Sequence, residues 1–305
     1  MSLQLPPLAI HAVGTYSNVY GEDTDTLVDL KPVLKQYVKN VPRRLTRFVQ
    51  LALIGASECA AGRELPEQTG VYFSSCRGDT GVTSQLLDEL VRDRHPPAPL
   101  NFVNSVSNAA CFYVAKVLQL YGRSNFVSNY YEPVVAALTA AQLDLSVTAM
   151  PAALVGSVES CSSPLANHRR RLSVSPERSV AEATNWLLVS SKSRPLTSVF
   201  PVLGYVNHIG YFDSLEALQD WLEAQTGISE AELWCGQHLP VDVRASIQQS
   251  SGIQRCNDYV RQDAYYDSPT VEGILQYLNS GTGKSMLHIN ADPTGRYTLL
   301  HVSRA

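Results

Sequence analysis

The chain has 305 residues, of which 45% are apolar and 17% charged, so it can bury one large core or two half-domains packed together. The formal net charge of −4 argues against a nucleic-acid groove, which needs clustered Lys and Arg. No apolar run approaches the length of a membrane span, and the N-terminal sequence lacks the pattern of a secretion signal.

The first part of the chain alternates between strand and helix patterns. Helix 43–62 is apolar around most of its circumference, which is typical of a helix buried on several sides. The predicted elements are strand 8–13 ended by Gly14, helix 43–62, strand 69–76, helix 83–95, helix 104–122, strand 126–127, a helix beginning at Pro133, and strand 147–160.

The second part repeats the alternation after a polar segment, residues 161–179, which we interpret as a connection between halves. Its basic run at 167–171 fits a solvated linker or a docking point for an acidic protein. The elements are strand 183–191, strand 198–210, helix 214–224, strand 231–236, helix 268–281 and a final hairpin, 285–290 with 296–303. Alternating strands and helices predict an α/β fold. The predicted halves are residues 1–165 and 181–305, joined by 166–180.

The six cysteines are scattered, and no two form a C-x-x-C pair, so we expect neither a zinc site nor a disulfide framework. The seven histidines show no metal-ligand spacing either, and we expect no cofactor. Free cysteines in apolar surroundings act as small hydrophobic residues and are typical of a reducing, cytoplasmic setting.

The segment "SNFVSNYYEPVVAAL" (124–138) predicts a strand, a tight turn and a helix with Pro133 in its first turn. Many α/β enzymes hold a nucleophile at such a turn, because the helix N-terminus stabilises an anion. Here the turn offers Asn129, Tyr130, Tyr131 and Glu132. The sequence therefore predicts the kind of turn at which such enzymes hold a nucleophile, but none of these four side chains is a typical nucleophile.

Several segments, in order along nearly the whole chain, carry a family resemblance. They are "LAIHAVGTYS", "RRLTRFVQLALIGASECA", "TGVYFSSCRGD" and "NFVNSVSNAACFYVAKVLQLYGRSN". Together they resemble the β-ketoacyl synthases of the thiolase fold, and most closely the non-catalytic chain-length factors among their relatives. The resemblance implies two similar halves, each with a mixed sheet, stacked in αβαβα layers.

The resemblance also assigns positions to the family's catalytic residues. Aligning Gly122 with the glycine of the family's "GPS" turn puts Tyr131 at the catalytic cysteine, and without gaps the family's glutamate falls on Glu159. Anchoring on Pro240 puts Cys235 at the first catalytic histidine. The second histidine falls near Asp263, and the family's glycine-rich loop corresponds to residues 288–296, where most glycines are absent.

These replacements imply a subunit without catalysis of its own. A phenol ionises near pH 10 and cannot replace a thiolate, so Tyr131 does not suit the acyl-carrying step. Glu132 beside it would oppose an enolate by like charge. In type II polyketide systems, such a subunit pairs with an active ketosynthase, receives chains from an acyl carrier protein and shapes the tunnel for the growing chain. The aryl-polyene pathway is the analogy that comes nearest.

In that family a helix at the subunit interface forms the floor of the tunnel, and by position it is Asn104–Gln119 here. The candidate tunnel and interface residues are Val103, Cys111, Phe112, Tyr113 and Tyr131. Phe112 is the preferred gate, because one ring of the Phe112–Tyr113 pair can face the tunnel and the other the interface. The alternative is that Phe112 packs in the core.

Two other functions remain open from the sequence. The first is a divergent, active condensing enzyme that uses Cys111 or Cys76 with His238. The second is a homodimeric binding protein that holds a lipid in the former tunnel.

Overall fold

A computed structural model describes residues 5–60, 62–196, 200–259 and 264–305, with ten strands and ten α-helices among them. The strands are β1 Leu8–Tyr20, β2 Gly70–Ser75, β3 Ser124–Ser128, β4 Ala153–Glu159, β5 Val180–Ser191, β6 Gly204–Phe212, β7 Glu232–Cys235, β8 Arg255–Asn257, β9 Ser285–Ala291 and β10 Tyr297–Arg304. The helices are α1 Lys31–Tyr37, α2 Arg47–Ala60, α3 Thr80–Leu87, α4 Pro99–Asn104, α5 Ala109–Leu118, α6 Pro133–Val147, α7 Leu165–Arg171, α8 Leu215–Glu223, α9 Val241–Ser251 and α10 Thr270–Ser280. A π-helical turn, Asp88–Arg92, continues α3, and a 3₁₀ turn covers Ile228–Glu230.

The two halves of the sheet have the same topology. The first half has the strand order β3-β2-β4-β5-β1 and the second half β8-β7-β9-β10-β6. In each half three strands are parallel, and the fourth strand along the sheet, β5 or β10, is antiparallel to both neighbours. A short antiparallel pairing of β1 with β6, at Leu8–Ile10, joins the halves. The prediction of two similar halves with mixed sheets is confirmed.

Helices and sheet halves alternate in five layers. One apolar cluster joins α1, α2 and α5 to the outer face of the first half. A second cluster places α6 and α10 between the two halves, and a third places α8 and α9 on the outer face of the second half. The predicted αβαβα layering is thus observed, and the N-termini of the two central helices lie where the halves meet.

The half boundary differs from the prediction. Strand β5 pairs with β1 and β4, so residues 181–191 complete the first-half sheet instead of beginning the second half. The predicted connection contains helix α7, in which Arg169 is buried and donates to the carbonyl oxygens of Tyr20 and Gly21. The basic run is therefore only partly solvated. The predicted strand 198–210 begins outside the described residues.

The predicted continuous helix 104–119 is interrupted at residues 105–108. Helix α4 ends at Asn104, and α5 begins at Ala109. The Ser105 hydroxyl donates to the carbonyl of Phe102, and the Ser107 hydroxyl accepts from the backbone of Asp79. These polar side chains bond to backbone groups in place of the helical pattern, which ends the helix.

Strand β1 does not end at Gly14 as predicted but continues to Tyr20. Gly14 lies against α2, where a Cβ atom would be 2.3 Å from the backbone nitrogen of Cys59 and 2.5 Å from the carbonyl oxygen of Gly55. The glycine therefore allows the strand and helix backbones to approach closely.

We expect Gly14→Ala to lower the free energy of unfolding by about 2 kcal/mol, because the helix backbone cannot move away without disturbing the core. Gly21→Ala is the matched control, since a Cβ there comes no closer than 4.0 Å to the Ser179 hydroxyl. Urea unfolding of the two variants measures the difference. Equal stability of both variants would contradict this account of the strand–helix contact.

None of the helices in the described part of the chain combines the length and the apolar character that crossing a bilayer requires.

Candidate functional site

The candidate site lies at the carboxyl ends of the parallel strands of both halves. Glu159 at the end of β4 accepts from Cys76, directly after β2, and Glu132, between β3 and α6, bonds to Asn290 of β9. The carboxyl ends of parallel strands are where open α/β sheets place their ligands. The loops from both halves therefore converge on the N-terminus of α6.

Glu132 connects the two halves at this point. Its backbone is left-handed (φ 51°), and it directly precedes α6. Its buried carboxylate accepts hydrogen bonds from the Asn290 amide and, at 2.6 Å, from the Thr270 hydroxyl at the start of α10. Two strong neutral donors and the N-terminus of α6 thus satisfy a carboxylate that is withdrawn from water.

Tyr131 lies at the tip of α6, and its ring contacts the imidazole of His238 edge-to-face, with the ring centroids 5.3 Å apart. The backbone nitrogen of His238 donates to the Asn290 side-chain oxygen at 3.0 Å. Burial lowers the pKa of His238, so its imidazole is mainly neutral near pH 7. A phenol and an imidazole therefore meet at the helix tip.

The later segment does not bring Cys235 to this site. Cys235 is fully buried and packs in the outer cluster of the second half, with α8 and α9. Its neighbour Trp234 faces the central layer, because side chains alternate along a strand. His238, three residues later, is the residue whose ring contacts Tyr131 at the tip of α6. Asp263, assigned to the second histidine, lies outside the described residues.

Both thiols of the predicted enzyme alternative are buried and have a raised pKa. Cys76 is buried, its Sγ is 3.6 Å from the carbonyl oxygen of Asp267, and burial and nearby carboxylates raise its pKa well above the usual value. Burial raises the pKa of Cys111 to about 12, and its thiol donates to the carbonyl of Asn125. Both thiols remain protonated near neutral pH and lack thiolate reactivity.

A second set of polar side chains, which includes Arg77, Asp267 and Glu159, lies beside the contacts of Glu132. The Arg77 side chain pairs with Asp267 at 2.7 Å and covers the ring of Tyr130, 4.6 Å from its centroid. The buried carboxyl group of Glu159 accepts from the Ser75 hydroxyl at 3.1 Å and from the backbone of Cys76 at 2.6 Å. Burial, followed by the negative charge of Asp267, raises the pKa of Glu159.

The raised pKa predicts that the free energy of unfolding depends on pH through Glu159. Its protonated form is favoured in the folded state, so its contribution to stability is full below the unfolded-state pKa of a glutamate. The contribution falls as the pH rises and is lost above the folded-state pKa. We expect Glu159→Gln to remove this dependence.

Urea unfolding at several pH values measures the effect as the difference between wild type and Glu159→Gln. His168, whose pKa burial lowers to about 4, titrates in both proteins and cancels from that difference. The stability of wild type should fall relative to the variant as the pH rises. A constant difference would show that Glu159 does not titrate as its burial implies.

His288 is the other histidine close to this centre. It is fully buried on β9, and its Nε2 atom is 2.7 Å from the hydroxyl oxygen of Tyr259. Burial lowers its pKa, which the charge of Glu132 partly opposes. Within the described ranges, no group of three or more His, Cys, Asp and Glu side chains is arranged to hold a metal ion.

A groove with a volume of about 970 Å³ lies at the edge of the first half, away from the α6 tip. It is lined by the turn before α5, the exposed side of α5 and strand β3. Phe112 is 58% exposed there, which excludes the alternative that it packs in the core. Val103 is also exposed, whereas Cys111 is buried and Tyr113 packs against the core. Tyr131, the fifth predicted tunnel residue, lies at the helix tip.

Sequence reasoning missed the residues that hold the site together. Asn290, Thr270 and Asp267 bind the two halves to one another, and none of them was a candidate. Asn290 belongs to "HINADPTGR", the segment that the resemblance matches to the family's glycine-rich loop. That match is the sequence signal that could have made Asn290 a candidate. Thr270 is the first residue of α10 and lies inside the helix predicted over 268–281.

Solved structures share the fold over almost the full chain. One is described as a type II PKS acyl-carrier protein in complex with its ketosynthase bound to the hexaketide (TM-score 0.73, 12% identity, covering 98% of this chain and 100% of that one). The ishigamide ketosynthase/chain length factor gives a TM-score of 0.72 at 15% identity, covering 98% and 99%. A β-ketoacyl synthase from Burkholderia phymatum gives 0.68 at 10% identity, covering 98% and 100%.

No protein-family model and no curated protein matches the sequence. The structural similarity confirms the prediction of a thiolase-like, ketosynthase-type α/β fold.

Proposed function

We propose that this chain is a ketosynthase-like subunit without catalysis of its own, which pairs with an active ketosynthase and shapes the tunnel for a growing polyketide or polyene chain. It would receive chains from an acyl carrier protein that carries acyl or malonyl phosphopantetheine. A cytoplasmic location, where such carriers and reduced thiols are found, belongs to the same proposal.

The observation that carries the proposal is the composition of the α6 tip. A condensing enzyme needs a thiolate there, because the helix N-terminus and nearby backbone amides stabilise the charge on sulfur and on the acyl oxygen. This chain has Tyr131 and Glu132 instead, and the Glu132 carboxylate is already bonded to Asn290 and Thr270. Within the described part of the chain, Tyr131 and His238 contact each other and bond to Asn129, Gln237 and Asn290, while each of the six cysteines is buried or half-buried elsewhere.

The edge of the first half supports the pairing. Strand β3 is at one end of the strand order, so one of its sides has no neighbour within the described chain. Val106 and Phe112 line the groove together with β3, and the segment before β3 also exposes Phe102, Val103 and Tyr121; each of the five side chains is at least half exposed. A single soluble chain rarely leaves an unpaired edge strand beside a large apolar patch, whereas a subunit interface covers both.

The same surface supports a role in chain length. The groove is lined by Phe112 and by the edge strand β3, so a partner that covers this edge would close it into a cavity. A close-packed wall resists additional carbon units as a protein core resists overpacking. Phe112, the gate predicted from the sequence, lines the groove and would form such a wall.

Co-expression with candidate ketosynthase subunits from the same genome, followed by native mass spectrometry, tests the pairing. We expect a heterodimer, or a pair of heterodimers, that contains both chains. A stable homodimer of this chain with no mixed species would reject the proposed pairing and favour the binding-protein alternative.

A further inference from the structure

Two thiols of the second half are in direct contact, away from the site described above. The Sγ atoms of Cys235, the last residue of β7, and Cys256, on β8, are 3.3 Å apart. Leu233 pairs with Cys256 in parallel register, and Cys235 is two residues beyond Leu233, so both thiols lie on the same face of the sheet. The register of the two strands therefore fixes the contact.

The two thiols differ in accessibility and acidity. Cys235 is fully buried, whereas Cys256 is half-buried on β8, the strand at the end of the strand order. The hydrogen bond between the two thiols lowers the pKa of Cys256, and burial partly opposes this effect. Arg244 lowers it further, and Asp258, which pairs with Arg244 at 3.6 Å, opposes that effect. A partly accessible thiol of lowered pKa beside a second thiol is the typical arrangement of an oxidisable pair.

The other four cysteines have the opposite character. All are buried, and burial raises the pKa of each: Cys59, Cys76, Cys111 and Cys161. Their thiols remain protonated and shielded from solvent oxidants. Oxidation of the folded chain should therefore select Cys256.

We propose that Cys235 and Cys256 form a reversible redox modification site, at which a peroxide converts the two thiols into a disulfide that links β8 to β7. The Cys256 thiolate attacks one oxygen of hydrogen peroxide, the O–O bond breaks, and hydroxide leaves and is protonated to water. The Cys235 sulfur then attacks the sulfur of the resulting sulfenic acid; the S–O bond breaks, and the departing hydroxide takes the Cys235 proton and leaves as a second water. Each peroxide is reduced to two waters while two thiols are oxidised to one disulfide.

The geometry permits the bond with little rearrangement. A disulfide is about 2.05 Å long, so the sulfur atoms need to approach by roughly 1.3 Å. Strand β8 has only three residues and, among the described strands, a neighbour on one side only, which allows it to adjust. Strand β7 leads directly into the loop that carries His238, so the disulfide would also constrain the strand beside the candidate site.

The test exposes the folded 305-residue chain to a stoichiometric amount of hydrogen peroxide, blocks free thiols with iodoacetamide, and maps the peptides without reduction. We expect one major cross-linked product that joins Cys235 to Cys256, with the mass of two hydrogen atoms lost, and its complete reversal by dithiothreitol. In Cys235→Ser, Cys256 should instead be trapped as a sulfenic acid by dimedone. In Cys256→Ser, the rate of peroxide consumption should fall about tenfold or more.

Cys161→Ser is the matched control and should form the same cross-link as wild type. Each variant is first compared with wild type by circular dichroism, and the wild-type experiment decides the matter even if a variant fails to fold. A mixture of disulfides, or a 235–256 link that forms only after unfolding in urea, would overturn the proposal. Oxidation of Cys256 in wild type that stops at the sulfenic or sulfinic acid would overturn it as well.

Discussion

Phe112→Asp should abolish or strongly weaken the association of this chain with its ketosynthase partner. Phe112 is 58% exposed on α5, beside the groove and the free edge of β3. Aromatic side chains at the centre of an interface commonly contribute 2–4 kcal/mol, which corresponds to a loss of affinity of about 30-fold to 1,000-fold. A buried carboxylate without a partner adds a desolvation cost to the lost contact.

The measurement is the dissociation constant of the purified pair, with thermal unfolding of the variant as a check on its fold. Val241→Asp is the matched control, because Val241 is 77% exposed at the start of α9, outside the groove. It should bind as wild type does. If Phe112→Asp also binds as tightly as wild type, the groove is not the subunit interface, and the proposed role of Phe112 in chain length is wrong.

Glu132→Ala should lower the free energy of unfolding by about 3 kcal/mol. The substitution removes the shared acceptor of Asn290 and Thr270, both buried, and each unsatisfied buried donor costs about 1–3 kcal/mol. Because these bonds join α6 to β9 and α10, the loss also weakens the contact between the halves.

Two further substitutions separate the loss of the hydrogen-bond acceptor from the effect of backbone strain at position 132. Glu132→Gln retains one acceptor oxygen and should lose about half as much stability as Glu132→Ala. Glu132→Gly removes both the acceptor and the left-handed strain of a residue with φ 51°, so it should be about 1 kcal/mol more stable than Glu132→Ala. Urea unfolding gives all three values. A Glu132→Ala variant as stable as wild type would contradict the bridging role of the carboxylate.

The sequence predicts most of the fold because its central elements have strong local patterns. Helix α2 is apolar on nearly every side and is buried as expected, and β9 and β10 form the predicted hairpin. Helix α9 was missed because only a few of its residues, such as Ile247, face the core, so its periodicity is weak. Strand β8 is three residues long, which is too short for any pattern to indicate.

The site was predicted less completely because its contacts are between residues distant in sequence. Spacing placed Tyr131 at the start of α6, but only the folded chain shows that His238 packs against it. The alternation of side chains in β7 turns Cys235 outward, and a single anchor at Pro240 could not reveal this. Likewise, no local pattern indicates that Asn290 and Thr270 share the carboxylate of Glu132.

The most direct test of the central claim is the location of the acyl group. The co-purified pair is incubated with acyl- or malonyl-loaded acyl carrier protein, and the intact mass of each subunit is measured before and after. We predict an acyl adduct on the ketosynthase partner alone, with the mass of this chain unchanged. An acyl adduct on this chain, abolished by substitution of one of its own residues, would show that it carries a nucleophile and would contradict the account.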